Sequence, residues 1–314
     1  GQQPGTTLPP PVHTGAHFSC AQSMPELPEV EVTRRELAPR LLGRRISAVH
    51  TTAPSYFFLT PPASLKRRLK GCVVVDLRRR GKYLLACLDS GDVLLLHLGM
   101  TGQLFTAKAR SPRLLSATAR SSLAPEQIAG FKPDRHTHLR LCFADRDEDV
   151  IFRDVRKFGK VRLLPSGQSD PRLDKLGVDA LESTGADLFA AASKRRTPIK
   201  TLLLDQGVIA GIGNIYADEG LFLARVRPSR RADRVSADEC DRIVQSCQAV
   251  MLRSIETGGS SIADYVRPTG GDGGYQDERK VYAREGLPCP ICGARIVRRV
   301  LGQRSTHYCP RCQR

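Results

Sequence analysis

The sequence predicts an α+β protein with several domains: an N-terminal antiparallel β-sandwich with a flanking helix, a helical domain and a C-terminal zinc-binding β-hairpin. Short strand-like segments occupy the first half of the chain, and helical periodicity dominates the second half. Two Cys-x-x-Cys pairs close the sequence. With 314 residues and 40% hydrophobic content, the chain is long enough for about two domains with cores of their own.

The charge of the chain is strongly positive. The sequence has 49 Lys+Arg against 32 Asp+Glu, a formal net charge of +17 that is spread along the chain. This excess favours a polyanionic partner, above all nucleic acid, although a solvated basic surface would have the same composition. The longest apolar candidate, residues 93–98, is short and contains His97, so we expect no membrane span.

Residues 1–23 are rich in Pro, Thr, Gly and Gln and lack the charged and apolar regions of a signal peptide. Their low hydrophobicity predicts a disordered leader. The segment that follows, from Met24 onward, looks like the start of a protein.

The first ordered element is predicted to be a helix that begins near Pro25 and ends by Gly43, with apolar residues near one face at Leu27, Val30, Leu37 and Leu41. Strand-like segments follow at 46–50, 73–77, 83–88, 93–98, 138–143 and 150–153. A series of short strands predicts a sandwich or barrel. Residues 106–134, dominated by Ala, Ser, Arg and Pro, predict a long mobile loop.

A linker is predicted around residues 165–174, and the pattern becomes helical after it. We expect helices at 186–194, 199–204, 215–223 and 237–257.

Two carboxylates, Glu26 and Glu29, lie three residues apart in the first turn of the first predicted helix, directly after Pro25. Proline is common at a helix start because its missing N–H would be unpaired there anyway. Acidic residues at this position also stabilise the helix dipole. The residues alone therefore fit either an ordinary first turn or a pair of groups for acid/base chemistry.

A Gly-x-Gly segment, residues 210–214, leads into the helix predicted at 215–223. The glycines allow close approach of a ligand, and a helix start offers N–H groups to a phosphate. The basic run Lys194-Arg195-Arg196, with Lys200 one helical turn later, favours phosphate binding. A plain turn is the alternative.

Four of the ten cysteines form the pairs Cys289/Cys292 and Cys309/Cys312, with sixteen residues between the pairs. This spacing predicts one closed, structural Zn²⁺ site joined by a hairpin, whereas a redox dithiol is the alternative for a single pair. The other six cysteines are scattered, which indicates free thiols in a reducing compartment: Cys20, Cys72, Cys87, Cys142, Cys240 and Cys247.

Arginines mark the hairpin between the two cysteine pairs. Arg295, Arg298 and Arg299 lie along one arm, and Gly302-Gln303-Arg304 predicts the tip. A charged tip on a rigid zinc site suits a nucleic-acid groove or a phosphate, and a solvated hairpin is the alternative.

These stretches together resemble formamidopyrimidine-DNA glycosylase, in the same order and over residues 24–314. The matching motifs are MPELPEVE, RRRGKYLL, HLGMTG, RDVRKFG, GIGNIYADEGLF and CPIC…GQRSTHYCPRC. The resemblance implies a monomeric, bacterial-type base-excision repair enzyme that acts on damaged double-stranded DNA in the cytoplasm, associated with the nucleoid. It further implies removal of oxidised purines such as 8-oxoguanine and formamidopyrimidines, followed by AP lyase cleavage through β,δ-elimination.

The resemblance also implies a division into domains. We expect a leader that is not native at 1–23, a β-sandwich catalytic domain at 24–163, a linker at 164–180, a helix-two-turn-helix domain at 181–280 and a zinc finger at 281–314. DNA is expected in the cleft between the domains.

The resemblance implies catalytic roles for five residues. Removal of the initiator methionine, here Met24, would expose Pro25 as the nucleophile that forms a Schiff base. Glu26 is implied as the acid/base partner, with Glu29 in support. Lys82 resembles the lysine associated with elimination, and Arg304 the arginine tied to the last elimination step and to phosphate binding.

Further residues are implied in DNA binding. Asn214 corresponds to a phosphate ligand in the helix-two-turn-helix element, and His136 and Arg156 to DNA contacts. Arg196 stands where the family usually has lysine, and these two side chains bind phosphate with different geometry. Met100, Arg156 and Phe158 match the trio that fills the space left by a flipped nucleotide.

The chain departs from the family pattern in four places. The segment at 268–280, which corresponds to the loop over the extruded base, is Gly-rich; residues 106–134 are longer than expected; and DVRKF at 154–158 replaces Asp-Pro-Arg-Arg-Phe. Any residue before Pro25 makes its nitrogen an amide, and we predict no lyase activity while the leader remains.

Two alternative functions stay open at this point. An enzyme resembling endonuclease VIII would prefer oxidised pyrimidines, but such sequences open with Pro-Glu-Gly-Pro-Glu, where this one has Pro-Glu-Leu-Pro-Glu. A non-catalytic protein that binds damaged DNA would result if Pro25 were not the free N-terminus.

Overall fold

A computed structural model of the chain describes residues 24–114, 131–145, 147–262 and 264–314. The leader predicted at 1–23 lies outside the described residues, as does the central part of the loop predicted at 106–134. No helix in the described ranges is long and apolar enough to cross a membrane.

Two antiparallel four-stranded sheets form the N-terminal part of the fold. The first sheet contains β1 (Ile46–Thr51), β5 (Gly102–Thr106), β6 (Thr137–Phe143) and β7 (Val150–Asp154), in the order β1-β6-β7-β5. The second contains β2 (Val74–Arg80), β3 (Tyr83–Leu88), β4 (Val93–His97) and β8 (Lys160–Leu164), in the order β2-β3-β4-β8.

One hydrophobic core fills the space between these sheets, which confirms the predicted sandwich. On β3, Leu84, Ala86 and Leu88 are buried and alternate with more exposed residues, as the pleat of a half-buried strand requires. The strands β5 and β8 and the helix α2 (Pro62–Leu69) were not predicted. All five residues of β5 are buried, so alternation could not reveal it.

Helix α1 (Leu27–Leu41) lies between two cores. Val30, Leu37 and Leu41 pack into the sandwich. Leu27 and Val32 instead pack into the core of the helical part. The four residues predicted near one face are all buried, but Leu27 packs into a different core because the N-terminal end of this helix is buried against a second domain.

The helical part contains α3 (Pro171–Asp174), α4 (Gly185–Ala192), α5 (Ile199–Leu203), α6 (Asn214–Leu223) and α7 (Ala237–Glu256). The four predicted helices, α4 to α7, are confirmed. A short parallel pair, β9 (Val178–Asp179) and β10 (Ile209–Ala210), lies within this region. Helix α3 lies inside the predicted linker, where the Asp170 side chain caps it by accepting a hydrogen bond from the N–H of Arg172.

The C-terminal hairpin pairs β11 (Val297–Leu301) with β12 (Arg304–Tyr308). Its tip is the two-residue turn Gly302-Gln303, with φ angles of 52° and 63°. Two consecutive positive φ values match the turn that suits the twist of a hairpin. The predicted tip is confirmed, and Arg304 opens the returning strand.

Candidate active site and DNA interface

The first turn of α1 meets the first turn of α6. The Glu26 carboxylate is buried there and accepts a hydrogen bond from the N–H of Ile215 at 2.9 Å and another from the N–H of Tyr216 at 3.4 Å. A negative charge is favourable at a helix N-terminus. Glu26 therefore occupies two N–H groups at the start of α6. These two groups cannot bind the phosphate that the sequence led us to expect there.

Two glycines allow this close approach. A Cβ atom at Gly213 would lie 2.2 Å from Cδ of Glu26. Gly211 has φ of 111°, its Cβ would lie 2.4 Å from Cδ1 of Leu27, and its carbonyl accepts a hydrogen bond from the N–H of Leu27 at 3.1 Å. The Gly-x-Gly segment is thus needed for contact with α1, which is part of the same chain.

Glu29 holds the peptide bond that follows Pro25. One carboxylate oxygen of Glu29 accepts a hydrogen bond at 2.9 Å from the N–H of Glu26, which belongs to the Pro25–Glu26 peptide. The other oxygen accepts from the hydroxyl of Tyr216 at 2.6 Å and from the N–H of Ser260 at 2.9 Å. Pro25 is itself buried. These bonds fix Pro25 from both the β domain and the helical domain.

Burial shifts the protonation of this pair. Burial raises the pKa of Glu29 to about 7, and the negative charge of Glu26 adds to the shift. Burial also raises the pKa of Glu26, against the opposing effect of Lys82. Burial keeps the pKa of Tyr216 well above its usual value, so this hydroxyl stays protonated and donates to Glu29. Raised carboxyl pKa values suit general acid/base chemistry.

Lys82 stands at the start of β3 and is almost completely buried. Burial lowers the pKa of its ammonium group, Glu26 and Glu29 raise it, and Arg304 lowers it. These electrostatic effects show that Lys82 belongs to the same cluster as the two carboxylates. A lysine with a lowered pKa is a better base at neutral pH than an exposed lysine.

The turn before Lys82 is tied to the helical domain. Asp179 of β9 accepts a hydrogen bond from the N–H of Gly81 at 2.9 Å and forms an ion pair with Arg79. Arg79 also pairs with Glu31 of α1 at 3.1 Å and donates to the carbonyl of Gly81 at 3.0 Å. This network of one arginine and two acids positions Lys82 relative to both domains.

Lys200, which the sequence analysis assigned to DNA, is completely buried. Its ammonium group lies 2.7 Å from a carboxylate oxygen of Asp218 and donates to the carbonyl of Ser305 at 2.8 Å and to the hydroxyl of Thr306 at 2.9 Å. Asp218 also accepts a hydrogen bond from the N–H of His307 at 2.8 Å. The Lys200–Asp218 pair thus fixes strand β12, which begins at Arg304. The Lys200 ammonium group is not accessible to DNA.

Met100, Arg156 and Phe158 lie on two adjoining loops. A Cβ atom at Gly99 would lie 2.5 Å from backbone atoms of Phe158 and Gly159, so the two loops touch. The guanidinium of Arg156 stacks over the ring of Phe158 at 4.6 Å. Phe158 is 41% exposed, which is unusual for a ring that only fills a core.

The other residues expected to bind DNA lie in different parts of the fold. His136 precedes β6 and is half-buried, and Asn214, at the start of α6, is half-buried too. Arg196 is 86% exposed, and its Nε lies 4.0 Å from a carboxylate oxygen of Asp233. Arg304 is exposed at the hairpin tip, where Gly302 approaches the side chain of Thr201.

The four cysteines of the two Cys-x-x-Cys pairs come together beside the hairpin, and their sulfur atoms lie within 4.8 Å of one another. The Sγ–Sγ distance is 3.9 Å for Cys289 and Cys312 and 3.5 Å for Cys292 and Cys309. Four thiolates about 2.3 Å from a tetrahedral Zn²⁺ would be roughly this far apart. The donor set therefore fits one structural zinc, as predicted.

Sequence reasoning missed several residues around the site. Tyr216, Ser254 and Ser260 surround Glu29, and the hydroxyl of Tyr216 lies 2.6 Å from that of Ser254. Tyr216 lies inside the quoted GIGNIYADEGLF motif, but its apolar neighbours indicated only core packing. Asp218 lies in the same motif and had no pattern of its own, because its partners Lys200 and His307 are distant in sequence.

Three family models match successive parts of the chain. The model of the formamidopyrimidine-DNA glycosylase N-terminal domain matches residues 24–161. The model of the H2TH domain of the same glycosylases matches residues 176–266, and that of a zinc finger found in FPG and IleRS matches residues 286–314.

Several known proteins are similar over most of their length. A formamidopyrimidine-DNA glycosylase of Symbiobacterium thermophilum is 40% identical over 294 residues, 92% of this chain and 89% of that protein. The corresponding protein of Paracoccus denitrificans is 40% identical over 299 residues, 92% of this chain and 100% of that protein.

Solved structures agree with these matches. The crystal structure of the MutM (Fpg) protein from Thermus thermophilus superposes with a TM-score of 0.77 at 36% identity, over 92% of this chain and 98% of that one. A complex of Lactococcus lactis Fpg (MutM) with DNA that contains Fapy-dG gives 0.78 at 33% identity, over 92% and 100%.

Proposed function

This chain belongs to the formamidopyrimidine-DNA glycosylase family, and we propose that it uses the Pro25 amine to excise oxidised purines from DNA. As a member of this family it is a base-excision repair glycosylase, and AP lyase activity is typical of such enzymes. One observation carries the assignment of roles: Glu26 and Glu29 are buried where the β domain and the helical domain meet, and Glu29 holds the Pro25–Glu26 peptide.

The proposed reaction begins at Pro25. Its free secondary amine attacks C1′ of the damaged nucleotide, the bond from C1′ to the base breaks, and the sugar ring opens to give an iminium ion. We assign to Glu26 the transfer of protons between the base and the sugar oxygen, and to Glu29 the positioning of Pro25. Both carboxyl groups have raised pKa values because they are buried, which suits proton transfer near neutral pH.

Strand cleavage follows from the same iminium ion. Loss of a proton from C2′ lets the 3′ phosphate leave, and a second elimination releases the 5′ phosphate. We assign Lys82 to the first elimination, because its lowered pKa allows it to act as a base. We assign Arg304 to the second elimination and to a phosphate, since its guanidinium is exposed at the hairpin tip.

DNA binding is proposed for a further set of residues. Exposed Arg196 and half-buried Asn214 and His136 would contact phosphates. Met100, Arg156 and Phe158 would fill the space in the duplex after the nucleotide is flipped out, and the exposure of Phe158 supports this role. Lys200 has no place in this set, and we propose that it positions the strand of Arg304.

The proposal also covers organisation and location. The sandwich would carry the catalytic residues at 24–163, the helix-two-turn-helix region at 181–280 would bind the backbone, and the zinc finger at 281–314 would present Arg304. A reducing, cytoplasmic compartment with association to the nucleoid through DNA is in keeping with the nine described cysteines, none of which forms a disulfide.

Borohydride trapping tests the function directly. The chain starting at Pro25 is incubated with duplexes that carry 8-oxoguanine, thymine glycol or an abasic analogue. A covalent adduct with 8-oxoguanine DNA is expected. Preference for thymine glycol would favour the endonuclease VIII-like alternative, and binding to the abasic analogue with no adduct on either lesion would favour a non-catalytic protein.

A further inference from the structure

The segment 259–275 leaves the candidate site and returns to it. Its first end is held by Glu29, which accepts a hydrogen bond from the N–H of Ser260 at 2.9 Å. Its second end returns at Tyr275, whose N–H donates to the carbonyl of Gly259 at 3.1 Å and whose ring packs against Tyr216 at 5.7 Å. The segment therefore forms one wall of the site, and contacts that change its shape also change that wall.

The far side of the segment is fastened to the β domain. Arg113 donates to both carboxylate oxygens of Asp272, at 2.8 and 3.1 Å, and to the carbonyl of Ser261 at 2.7 Å. One guanidinium thus joins two points of the segment that are eleven residues apart in sequence. A bidentate pair fixes orientation as well as distance.

Backbone contacts strengthen the same junction. The N–H of Thr106 donates to the carbonyl of Pro268 at 3.0 Å. Gly270 has φ of 100°, and a Cβ atom there would lie 2.4 Å from backbone atoms of Arg110. Val266 is buried in a small core with Phe105. Residues 106–113 and 266–272 are therefore in contact at several points along their length.

Residues 107–114 are the beginning of the loop 106–134, which is longer than expected of the family. Residues 268–280 are the segment whose Gly-rich composition departs from the family pattern. The two departures are in contact. We propose that Arg113 is a positioning residue for base excision: by fastening Asp272 and Ser261 to the β domain, it sets the wall of the site and so supports removal of the damaged base but not cleavage at an abasic site. This inference rests on the proposed function.

The experiment compares Arg113→Ala with the wild-type chain in single-turnover assays on 8-oxoguanine, a formamidopyrimidine and a preformed abasic site. An ion pair at a partly exposed position has a modest effect, so we expect excision of the bases to slow by about threefold to fivefold. Cleavage of the abasic site, which has no base to remove, should change by less than about twofold.

A matched control is available on the same stretch. Lys108 pairs with Asp147 at 2.6 Å, and both side chains are exposed. Lys108→Ala should leave every rate unchanged. The charge exchange Arg113→Asp with Asp272→Arg should recover part of the lost excision rate. An equal fall on all three substrates, or no fall on any, would overturn the proposal.

Hydrogen exchange separates this inference from the function on which it rests. Without DNA, amides in residues 264–274 should exchange faster in Arg113→Ala than in wild type or Lys108→Ala. Unchanged exchange would refute the fastening even if excision slowed. A wild-type chain with no excision activity would refute the proposed function, and the exchange rates would then decide by themselves whether Arg113 shapes this wall.

Discussion

Glu26 accepts a hydrogen bond at 2.9 Å from the N–H of Ile215, 189 positions further along the chain. This bond joins the start of α1 to the start of α6, and hence the two domains that form the candidate site. Because Glu29, in the first turn of the same helix, holds the Pro25–Glu26 peptide and is itself bound by Tyr216, the position of Pro25 depends on both domains. Substitutions at separate points of this arrangement should therefore have separable effects.

The amine of Pro25 is the first test. A chain that starts at Pro25 should form a borohydride-trapped adduct with 8-oxoguanine DNA, whereas a chain that retains residues 1–24 should form none, because its proline nitrogen is an amide. N-terminal mass analysis of the protein made from its own gene shows which form exists. Trapping by the longer chain would move the nucleophile to another amine, and Lys82→Ala would then test the buried lysine beside the two carboxylates.

Tyr216→Phe removes the hydroxyl that donates to Glu29 at 2.6 Å. A buried carboxylate that loses a donor is costly, so excision should slow by about tenfold. This hydrogen bond lowers the pKa of Glu29, and its loss should move the acidic limb of the pH–rate profile to higher pH. Tyr308→Phe, which alters the distant zinc hairpin, is the control. A slower reaction with an unmoved pH profile would argue against a direct effect on Glu29.

The pKa of Glu29 also predicts how stability depends on pH. Burial raises it from an ordinary value of 4.5 to about 7, so the folded state favours the protonated form. Its stabilising effect is complete below the unfolded value and is lost as pH rises through about 7. Relative to Glu29→Gln, wild type should lose up to about 3 kcal/mol over this range.

Urea unfolding at several pH values would measure this difference. Glu256→Gln, at an exposed carboxylate, should follow the wild-type curve. Parallel curves for wild type and Glu29→Gln would mean that the pKa of Glu29 is not raised in the folded protein.

Cys292→Ser should release zinc, because three thiolates and a hydroxyl bind it less well than four thiolates. Loss of the metal should disorder the hairpin and weaken DNA binding through Arg304. Metal analysis and a DNA titration check both effects. Cys142→Ser, on β6, should keep its zinc, and full zinc content in Cys292→Ser would refute the four-cysteine site.

Lys200→Met should leave Asp218 as a buried carboxylate without its partner ammonium group. Such a loss costs about 3–5 kcal/mol. The pair Arg195–Asp205 is nearly half exposed, so Arg195→Ala should cost at most about 1 kcal/mol. Unfolding by urea compares the two variants. Equal costs would show that the Lys200–Asp218 pair is not desolvated as the fold indicates.

The elements with regular patterns were predictable from the sequence. The alternation of β3 and the helical periodicity of α7 are local signals, and both elements have nearly the predicted bounds. The cysteine spacing identified the zinc ligands for the same reason. Strand β5 was missed because it is buried on both faces, and the packing of Leu27 into a second core was not predictable because the rest of that core lies far along the chain.

The site was predictable only through motif resemblance. Nothing in the spacing of Glu26 and Glu29 distinguishes them from ordinary acids at a helix start, and their function depends on partners in α6. Lys200 shows the opposite case, since a lysine in a basic run is usually solvated, whereas here it is buried against Asp218. The roles of Glu26 and Glu29 and the burial of Lys200 all depend on partners that are distant in sequence. A local sequence pattern carries no information about such partners.

The hydrogen bond between Glu26 and Ile215 also affects when the site can form during synthesis of the chain. A ribosome adds about 5–20 residues per second, so the partner of Glu26 is made roughly 10 to 40 seconds after Glu26 itself. During that interval the nascent chain has no second helix start to hold the Glu26 carboxylate. An incomplete chain released before residue 215 would likewise lack the N–H groups that hold the Glu26 carboxylate.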